Sequence, residues 1–259
     1  MRSALLYAIL ALGSISGIEA QPDFDHSHRL YGEVLARFVR RGLVDYGKLK
    51  SKRRSLDLYL EQLASVSEEK FRYWKREEQL AFLLNLYNAA TLRLIIDHYP
   101  VHSIKEIRRF FKGPWDQKVV RFLDREITLN ALEHKILRPE YKGPRIHFAL
   151  VCAALGCPPL REEPYLPAHL ERQLEDQGRR FFSESRKNRL SPEEGVVYLS
   201  PIFRWYEEDF IKDSGSVIFF VRHYFFPEAS RGMELHRYEV RYTEYDWSLN
   251  DKRSGGGGP

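Results

Sequence analysis

The sequence predicts an α+β fold that is mainly helical, with a small, mostly antiparallel sheet. Several stretches carry apolar residues at helical spacing, and between them lie a few short apolar runs typical of strands. Helices interleaved with a few strands indicate the α+β class. The chain has 259 residues, of which 43% are hydrophobic and 14% aromatic, so it can bury a substantial core.

The longest predicted helix covers residues 77–98 and is closed by Tyr99-Pro100, because proline discourages continuation. Shorter helices are predicted near residues 30–39 and 56–63 and at 167–182, 201–211 and 217–225. A hairpin is predicted over residues 119–129, and a late strand over 238–242. The nearly continuous apolar run 146–152 predicts a strand buried on both faces.

The first twenty residues have the pattern of a secretory signal peptide. Arg2 precedes an apolar run from Leu5 to Leu12, and the small residue Ala20 offers a cleavage point. The run is too short to span a bilayer. We therefore expect residues 1–20 to be removed and the protein to be secreted or periplasmic.

The rest of the chain predicts a single domain over residues 24–250 and a flexible tail over 251–259. No Pro/Gly/Ser-rich linker divides the middle, and the tail ends in a run of glycines. No later segment has the uninterrupted apolar length of a membrane helix, so we expect no membrane span.

The charge pattern argues against nucleic acid as a partner. The net charge of +5 comes from 41 basic and 36 acidic residues that are interspersed, and no nucleic-acid-binding module is visible. Phosphate-binding glycine loops, Asp-rich metal loops and the G-x-S-x-G elbow are absent too. We therefore expect no cofactor, and the partner is an unknown substrate or protein.

Two asparagines in the long helix are candidate binding residues. Asn85 and Asn88 share one face of an otherwise apolar stretch, and a buried amide without partners costs about 1–3 kcal/mol. Either they bind the backbone of a neighbouring loop, the commoner use of buried amides, or they contact a substrate.

A further pair, Glu133-His134, lies in a helix predicted after the hairpin, where Thr128 can cap. Adjacent helical residues point about 100° apart, so at most one of the two faces a given partner. Glu133 is a candidate catalytic residue and His134 a candidate binding residue.

The segment from Arg145 to Leu160 holds a histidine and both cysteines of the chain. In one alternative Cys157 is a nucleophile, His147 is its base, and Glu133 or an asparagine orients the imidazole. An objection is that Pro158-Pro159 biases Cys157 toward extended backbone, which denies it activation by a helix N-terminus.

In a second alternative, Cys152 and Cys157 form a disulfide, which an oxidising compartment favours and an even cysteine count permits. A third alternative is a zinc site of His147, His134 and a cysteine, but no tight ligand spacing such as C-x-x-C occurs, so no metal ligand is assigned.

Several ordered motifs resemble one family, the domain of unknown function 547. They are Asn85-Leu86-Tyr87-Asn88-Ala89, Glu133 to Arg138, Ile146 to Leu150, Cys157 to Leu160 and Leu199 to Tyr206, and Tyr245 to Asn250 resembles the ending of many bacterial members. The resemblance implies a fold similar to those of papain and the transglutaminases. It also implies that His147, Asn85 and Glu133 belong to one site.

The resemblance leaves the nucleophile open, because plant members differ at the position of Cys157. Trp205, Tyr206 and Phe210 are expected to fill the core, and Asp209 can reach the polar cluster without being required there.

The sequence leaves two candidate functions for the protein. One is an exported thiol-dependent amide hydrolase or transferase, and the other is a non-enzymatic exported binding or structural domain with a Cys152–Cys157 disulfide.

Overall fold

The structure is a computed structural model that describes residues 24–225 and 237–253. The predicted signal peptide and residues 254–259 of the predicted tail lie outside these ranges. The helices are α1 (Arg29–Phe38), α2 (Tyr46–Ser51), α3 (Arg54–Ala64), α4 (Glu68–Tyr73), α5 (Arg76–His98), α6 (Leu129–Ala131), α7 (Arg138–Glu140), α8 (Ile146–Ala149), α9 (Leu170–Ser183), α10 (Ile202–Trp205), α11 (Glu207–Ser214) and α12 (Val217–Phe225). A π-helical segment, Leu132–Leu137, joins α6 to α7.

Within residues 24–225 and 237–253 the strands form three small sheets. They are β1 (Val39–Arg40), β2 (Leu43–Val44), β3 (Lys118–Phe122), β4 (Arg125–Thr128), β5 (Arg189–Ser191), β6 (Val196–Leu199) and β7 (Glu239–Tyr242). The pairs β1–β2, β3–β4 and β5–β6 are antiparallel, and β6–β7 is parallel. The predicted α+β class, mainly helical with mostly antiparallel strands, is confirmed, with the strands divided among three sheets.

Helix α5 lies at the centre of the larger of two hydrophobic clusters. Its sequence is apolar on nearly every face because most of its residues are buried by neighbours. By length and composition alone it is apolar enough to cross a membrane, but 83% of its most apolar window is buried inside the protein, as in a core helix.

The second cluster is largely aromatic and packs α9 to α12 against the sheet β5–β6–β7. Short helix α8 lies where the two clusters meet. Ile146 and Ala149 belong to the first cluster, and Phe148 belongs to the second. The residue between them, His147, is thereby held at the junction.

The predicted strand over residues 146–152 is wrong. Residues 146–149 form α8, and only the following residues are extended. An apolar run of this length fits a buried helix as well as a strand. The backbone of Ala149 and Val151 is paired by the side chain of Asn88, whose Nδ2 donates to Ala149 O and whose Oδ1 accepts from Val151 N, each at 2.9 Å.

Asn85 makes the same kind of contact one turn earlier on α5. Its Nδ2 donates to Tyr165 O at 2.8 Å, and its Oδ1 accepts from Tyr165 N at 2.9 Å. Both asparagines therefore bind loop backbone in the manner of a neighbouring strand. They fix two different loops against the central helix.

The segment before the predicted tail is tied into the fold, and so is Asp251, the first residue of that tail. Asn250 N donates to Ala153 O at 3.0 Å, and Val44 N donates to Asn250 O at 2.9 Å. Asp251 is buried and accepts a hydrogen bond from Tyr99 at 2.6 Å. Side-chain pairing thus continues past residue 250, because this end of the chain crosses the β1–β2 hairpin.

We expect Asn88→Ala to lower the free energy of unfolding by about 2–4 kcal/mol, because it leaves one buried carbonyl and one buried N–H without partners at about 1–3 kcal/mol each. Thr91→Val on the same helix is the matched control, since the Thr91 hydroxyl bonds only to Tyr87 O within α5. Urea unfolding of both variants measures the difference. Equal, small losses would show that the Asn88 amide does not hold this loop.

Candidate functional site

A cavity of about 190 Å³ collects most of the residues that the sequence singled out. It lies beside α8, the π-helical segment, α10 and the end of the described chain. Its lining residues are Tyr87, Trp115, Asn130, Glu133, His134, His147, Leu150, Cys152, Cys157, Pro158, Ile202, Trp205, Tyr206, Tyr245 and Trp247. We call it the junction pocket.

His147 lies in the wall of the junction pocket, with its side chain only 1% exposed. Its Nε2 lies 2.8 Å from Oδ2 of Asp209 on α11. Arg138 contacts the same carboxylate through two nitrogens, at 2.7 and 3.1 Å. The ring of Tyr206 stacks on the imidazole, with centroids 3.8 Å apart.

The protonation states of this pair follow from burial and hydrogen bonding. Burial lowers the pKa of His147 below its ordinary value, and the hydrogen bond to Asp209 offsets part of that effect. The hydrogen bond from His147 and the contact with Arg138 hold the pKa of the Asp209 carboxyl well below its usual range.

Asp209 is therefore ionised near neutral pH while the imidazole is neutral. Nε2 then carries the proton and donates it, so Nδ1 keeps its lone pair. Nδ1 is buried and has no hydrogen-bond partner within the described ranges. The ring thus has an oriented tautomer and one unused basic nitrogen, which is the arrangement of a general base.

Glu133 serves a different neighbour from the one predicted. Its Oε1 accepts from Tyr206 at 2.7 Å, and its Oε2 accepts from Tyr87 at 3.2 Å. Asp209, rather than Glu133 or an asparagine, orients the imidazole of His147. Glu133 acts on that ring through its charge, which partly offsets the lowering of the His147 pKa by burial, and by fixing the tyrosine that stacks on the ring.

The helix that carries Glu133 and His134 is π-helical at these residues, where Arg138 N donates to Glu133 O. Such segments occur often at functional sites. Glu133 is buried, whereas His134 is exposed at the pocket and bonds through Nδ1 to Nη1 of Arg138 at 3.0 Å. As predicted from helix geometry, the two neighbours have different partners.

Cys152 and Cys157 form a disulfide in this structure. Of the alternatives that the sequence left open for the cysteines, the structure contains this one. Cys157 is consequently not a free thiol in this form, and the hydrogen bonds of His147 in the described ranges do not reach either sulfur. The residues in 24–225 and 237–253 include no cluster of three or more His, Cys, Asp and Glu side chains suited to a metal.

Two donors point at the sulfur of Cys157. The backbone N of Cys152 lies 3.0 Å from Cys157 Sγ, and the hydroxyl of Tyr245 lies 3.1 Å from the same sulfur and 3.2 Å from Cys152 Sγ. Burial raises the pKa of Tyr245, so that hydroxyl keeps its proton. Hydrogen bonds of this kind stabilise a thiolate more than a thiol.

The disulfide loop is held by the segment that carries Tyr245. Leu155 N donates to Ser248 O, and Gly156 N donates to Asp246 O, each at 2.8 Å. A Cβ on Gly156 would lie 2.9 Å from Cδ1 of Tyr245, so only glycine permits this approach. The close contact brings the Tyr245 hydroxyl to the sulfurs.

The aromatic residues of α10 and the following turn were expected in the core, which is wrong for Trp205, since it is 48% exposed and lines the junction pocket. Tyr206 is partly buried against the aromatic cluster and also lines the pocket. Phe210 is fully buried in the aromatic cluster, as predicted. The two pocket residues precede α11, so Tyr206 is placed between the Asp209 carboxylate and Glu133.

Asn85 and Asn88 do not line the junction pocket, since both amides are occupied by loop backbone. Asp209 and Tyr245 are the residues that sequence reasoning undervalued. Asp209 lies 62 positions from His147, and no spacing rule connects residues so far apart. Tyr245 carried one signal, because it begins a motif of the family resemblance.

Residues 71–182 match the sequence profile of a family described as "Protein of unknown function, DUF547". This match supports the assignment of residues 71–182 to that family. The matched residues include Glu133, His147 and both cysteines, whereas Asp209 and Tyr245 lie beyond them. No curated protein and no solved structure matches the chain. The implied likeness to papain and the transglutaminases stays a prediction.

We expect Asp209→Asn to lower the pKa of His147 further, because the variant removes the charge that favours the imidazolium. NMR titration of the ring nitrogens measures both the pKa and the tautomer. Asp213→Asn, an equal charge change on the same helix, is the control. An unchanged His147 pKa in Asp209→Asn would contradict the contact between the two side chains.

Proposed function

We propose that this protein is an exported thiol-dependent amide hydrolase or transferase, with Cys157 as its nucleophile. The observation that carries the proposal is the imidazole of His147, held by Asp209 through Nε2 and unpartnered at Nδ1, in the wall of the pocket that also contains Cys157. Nucleophile, base and orienting acid are the components of a thiol active site.

In the proposed reaction His147 Nδ1 takes the proton of the Cys157 thiol, and the thiolate attacks the amide carbonyl carbon. The C–N bond then breaks, and the imidazolium gives its proton to the departing amine, which leaves a thioester on Cys157. Water completes a hydrolysis, or a second amine completes a transfer. Asp209 stabilises the imidazolium while it holds the proton.

The donors at Cys157 answer the objection raised by the two prolines. The N–H of Cys152 and the hydroxyl of Tyr245 supply the stabilisation that a helix N-terminus would otherwise give to a thiolate. Because the thiol is paired with Cys152, the active form first requires reduction. A dithiol reductant would be oxidised to its disulfide as both cysteines become thiols.

Export is part of the proposal. The signal-like pattern of residues 1–20 supports it, and so does the disulfide, since such bonds persist in oxidising compartments and are rare in the cytosol. The mature protein would then be secreted or periplasmic.

The alternative function is that of an exported binding or structural domain without catalysis. The disulfide favours it, because a paired Cys157 has no free thiol. On this alternative the polar residues hold loops, and the aromatic wall of the pocket binds a ligand.

The alkylation rate of a single free cysteine, measured from pH 5 to 10, tests the enzymatic proposal. Cys152→Ser exposes Cys157 and keeps the backbone N–H that faces it, and Cys157→Ser exposes Cys152 as the matched control. We expect Cys157 to form its thiolate below the ordinary pKa of about 8.5 and at a lower pH than Cys152, because both sulfurs lie near the Tyr245 hydroxyl but Cys157 also faces the backbone N–H of Cys152.

His147→Gln in the Cys152→Ser background removes the base. We expect it to raise the pKa of Cys157 and to slow thioester formation with an activated ester on the order of 100-fold or more. Mass spectrometry of the adduct locates the acyl group. An ordinary Cys157 pKa that is insensitive to His147→Gln would overturn the proposal.

The binding alternative has its own measurement. Protein purified with its free thiols blocked should gain two hydrogens on reduction and should form no acyl adduct on Cys157 afterwards. Adduct formation after reduction would exclude a purely structural disulfide.

A further inference from the structure

A second feature of the molecule is an exposed aromatic turn between α5 and β3. Phe110 is 90% exposed, and Phe111 is 106% exposed, more than any other large hydrophobic residue that the structure describes. Single exposed apolar residues are normal, but two adjacent, fully exposed phenylalanines are costly in water. We call residues 108–112 the aromatic tip.

The backbone of the aromatic tip is a tight two-residue turn. Arg109 N donates to Lys112 O and Lys112 N donates to Arg109 O, each at 3.1 Å, which leaves the two phenylalanines at the end. The flanking residues anchor the turn, because Ile107 is buried before it and Pro114 is buried after it. The tip is therefore a projection with fixed ends.

Cations surround the phenylalanines. Arg108, Arg109 and Lys112 are exposed, and none of them has an ion pair or a side-chain hydrogen bond within the described residues. The carboxylates nearest in sequence are hydrogen-bonded elsewhere: Glu106 accepts from His102 N at 3.0 Å, and Asp116 accepts from Asn130 at 2.7 Å. The positive charge at the tip is consequently available to an outside partner.

We propose that the aromatic tip inserts into an anionic lipid surface, with the phenylalanine rings among the acyl chains and the cations at the headgroups. Apolar rings combined with basic side chains are what interfacial anchors use, since burial and attraction to anionic lipid act together. This inference does not depend on the chemistry of the junction pocket.

The shape of the tip favours a membrane over a protein partner. A stable protein interface buries about 800 Å² on each side, whereas this projection is two residues wide. A lipid surface receives a narrow projection without a matching cavity. A single small anchor such as the aromatic tip binds lipid weakly and reversibly, as other peripheral anchors do.

The aromatic tip adjoins the junction pocket. Trp115, which follows the tip after Pro114, lines the pocket and lies 5.9 Å from the ring of Trp247. Lys105, just before the tip, places its ammonium 3.6 Å above the same Trp247 ring. Lipid binding would therefore hold the aromatic rim of the pocket near the membrane surface.

Flotation with vesicles tests the proposal, with the chain from Gln21 onward so that the apolar run of residues 5–12 does not itself bind lipid. We expect binding to vesicles of phosphatidylcholine with phosphatidylglycerol, and much weaker binding to phosphatidylcholine alone. Phe110→Ser with Phe111→Ser should weaken binding on the order of 100-fold, the equivalent of about 1.4 kcal/mol per ring. Arg109→Ser with Lys112→Ser should reduce the preference for anionic vesicles.

Phe219→Ser is the matched control, because Phe219 is 60% exposed on α12, and it should bind like the parent chain. A parent chain that stays in the aqueous phase with both vesicles would overturn the proposal. So would equal binding by the tip variant. Light scattering that shows tip-dependent dimers without lipid binding would assign the tip to contact between copies, which also overturns it.

Discussion

The side-chain amide of Asn88 is the interaction on which the geometry of the site depends. It pairs with both backbone groups of the loop that follows α8, at Ala149 and Val151. That loop joins His147 to Cys152, so one buried amide sets the position of the imidazole at one end and of the disulfide at the other. The Asn88 amide affects the pocket only through this loop, because both of its polar atoms are hydrogen-bonded to backbone.

Electrostatics then decide what the positioned imidazole can do. Burial alone would leave the ring neutral but would not select a tautomer. The carboxylate of Asp209, held ionised by its hydrogen bonds with His147 and Arg138, selects the proton on Nε2 and leaves Nδ1 basic. Tyr206 limits rotation of the ring by stacking on it, and Glu133 limits rotation of Tyr206.

Local sequence patterns predicted local structure well. The long helix, the hairpin after it and the cap at Thr128 were all found, because each depends on neighbours in the chain. The strand predicted at 146–152 failed for a physical reason: a buried apolar run has no polar face to reveal its period. The backbone groups of Ala149 and Val151, which a neighbouring strand would have paired, are paired instead by the side chain of Asn88 on α5.

The candidate site was only partly predictable for the same reason. His147, Glu133 and the cysteines were selected by residue type, but their contacts depend on tertiary packing. Asp209 lies on α11 at the edge of the aromatic cluster, and its contact with His147 depends on how α11 packs there. Tyr245 reaches the sulfurs because Gly156 lets the terminal segment approach, a contact between residues far apart in sequence.

The disulfide and the proposed nucleophile are compatible within one geometry. Cys157 is 3% exposed, whereas Cys152 is partly exposed, so an incoming thiolate reaches Cys152 more readily. The two donors at Cys157 stabilise a thiolate there, and a sulfur that is stable as a thiolate is the better leaving group in thiol–disulfide exchange. Reduction would thus release Cys157 in the ionised form that attack on a carbonyl requires. The two donors that would lower the pKa of Cys157 would therefore also make it the sulfur that leaves when the disulfide is reduced.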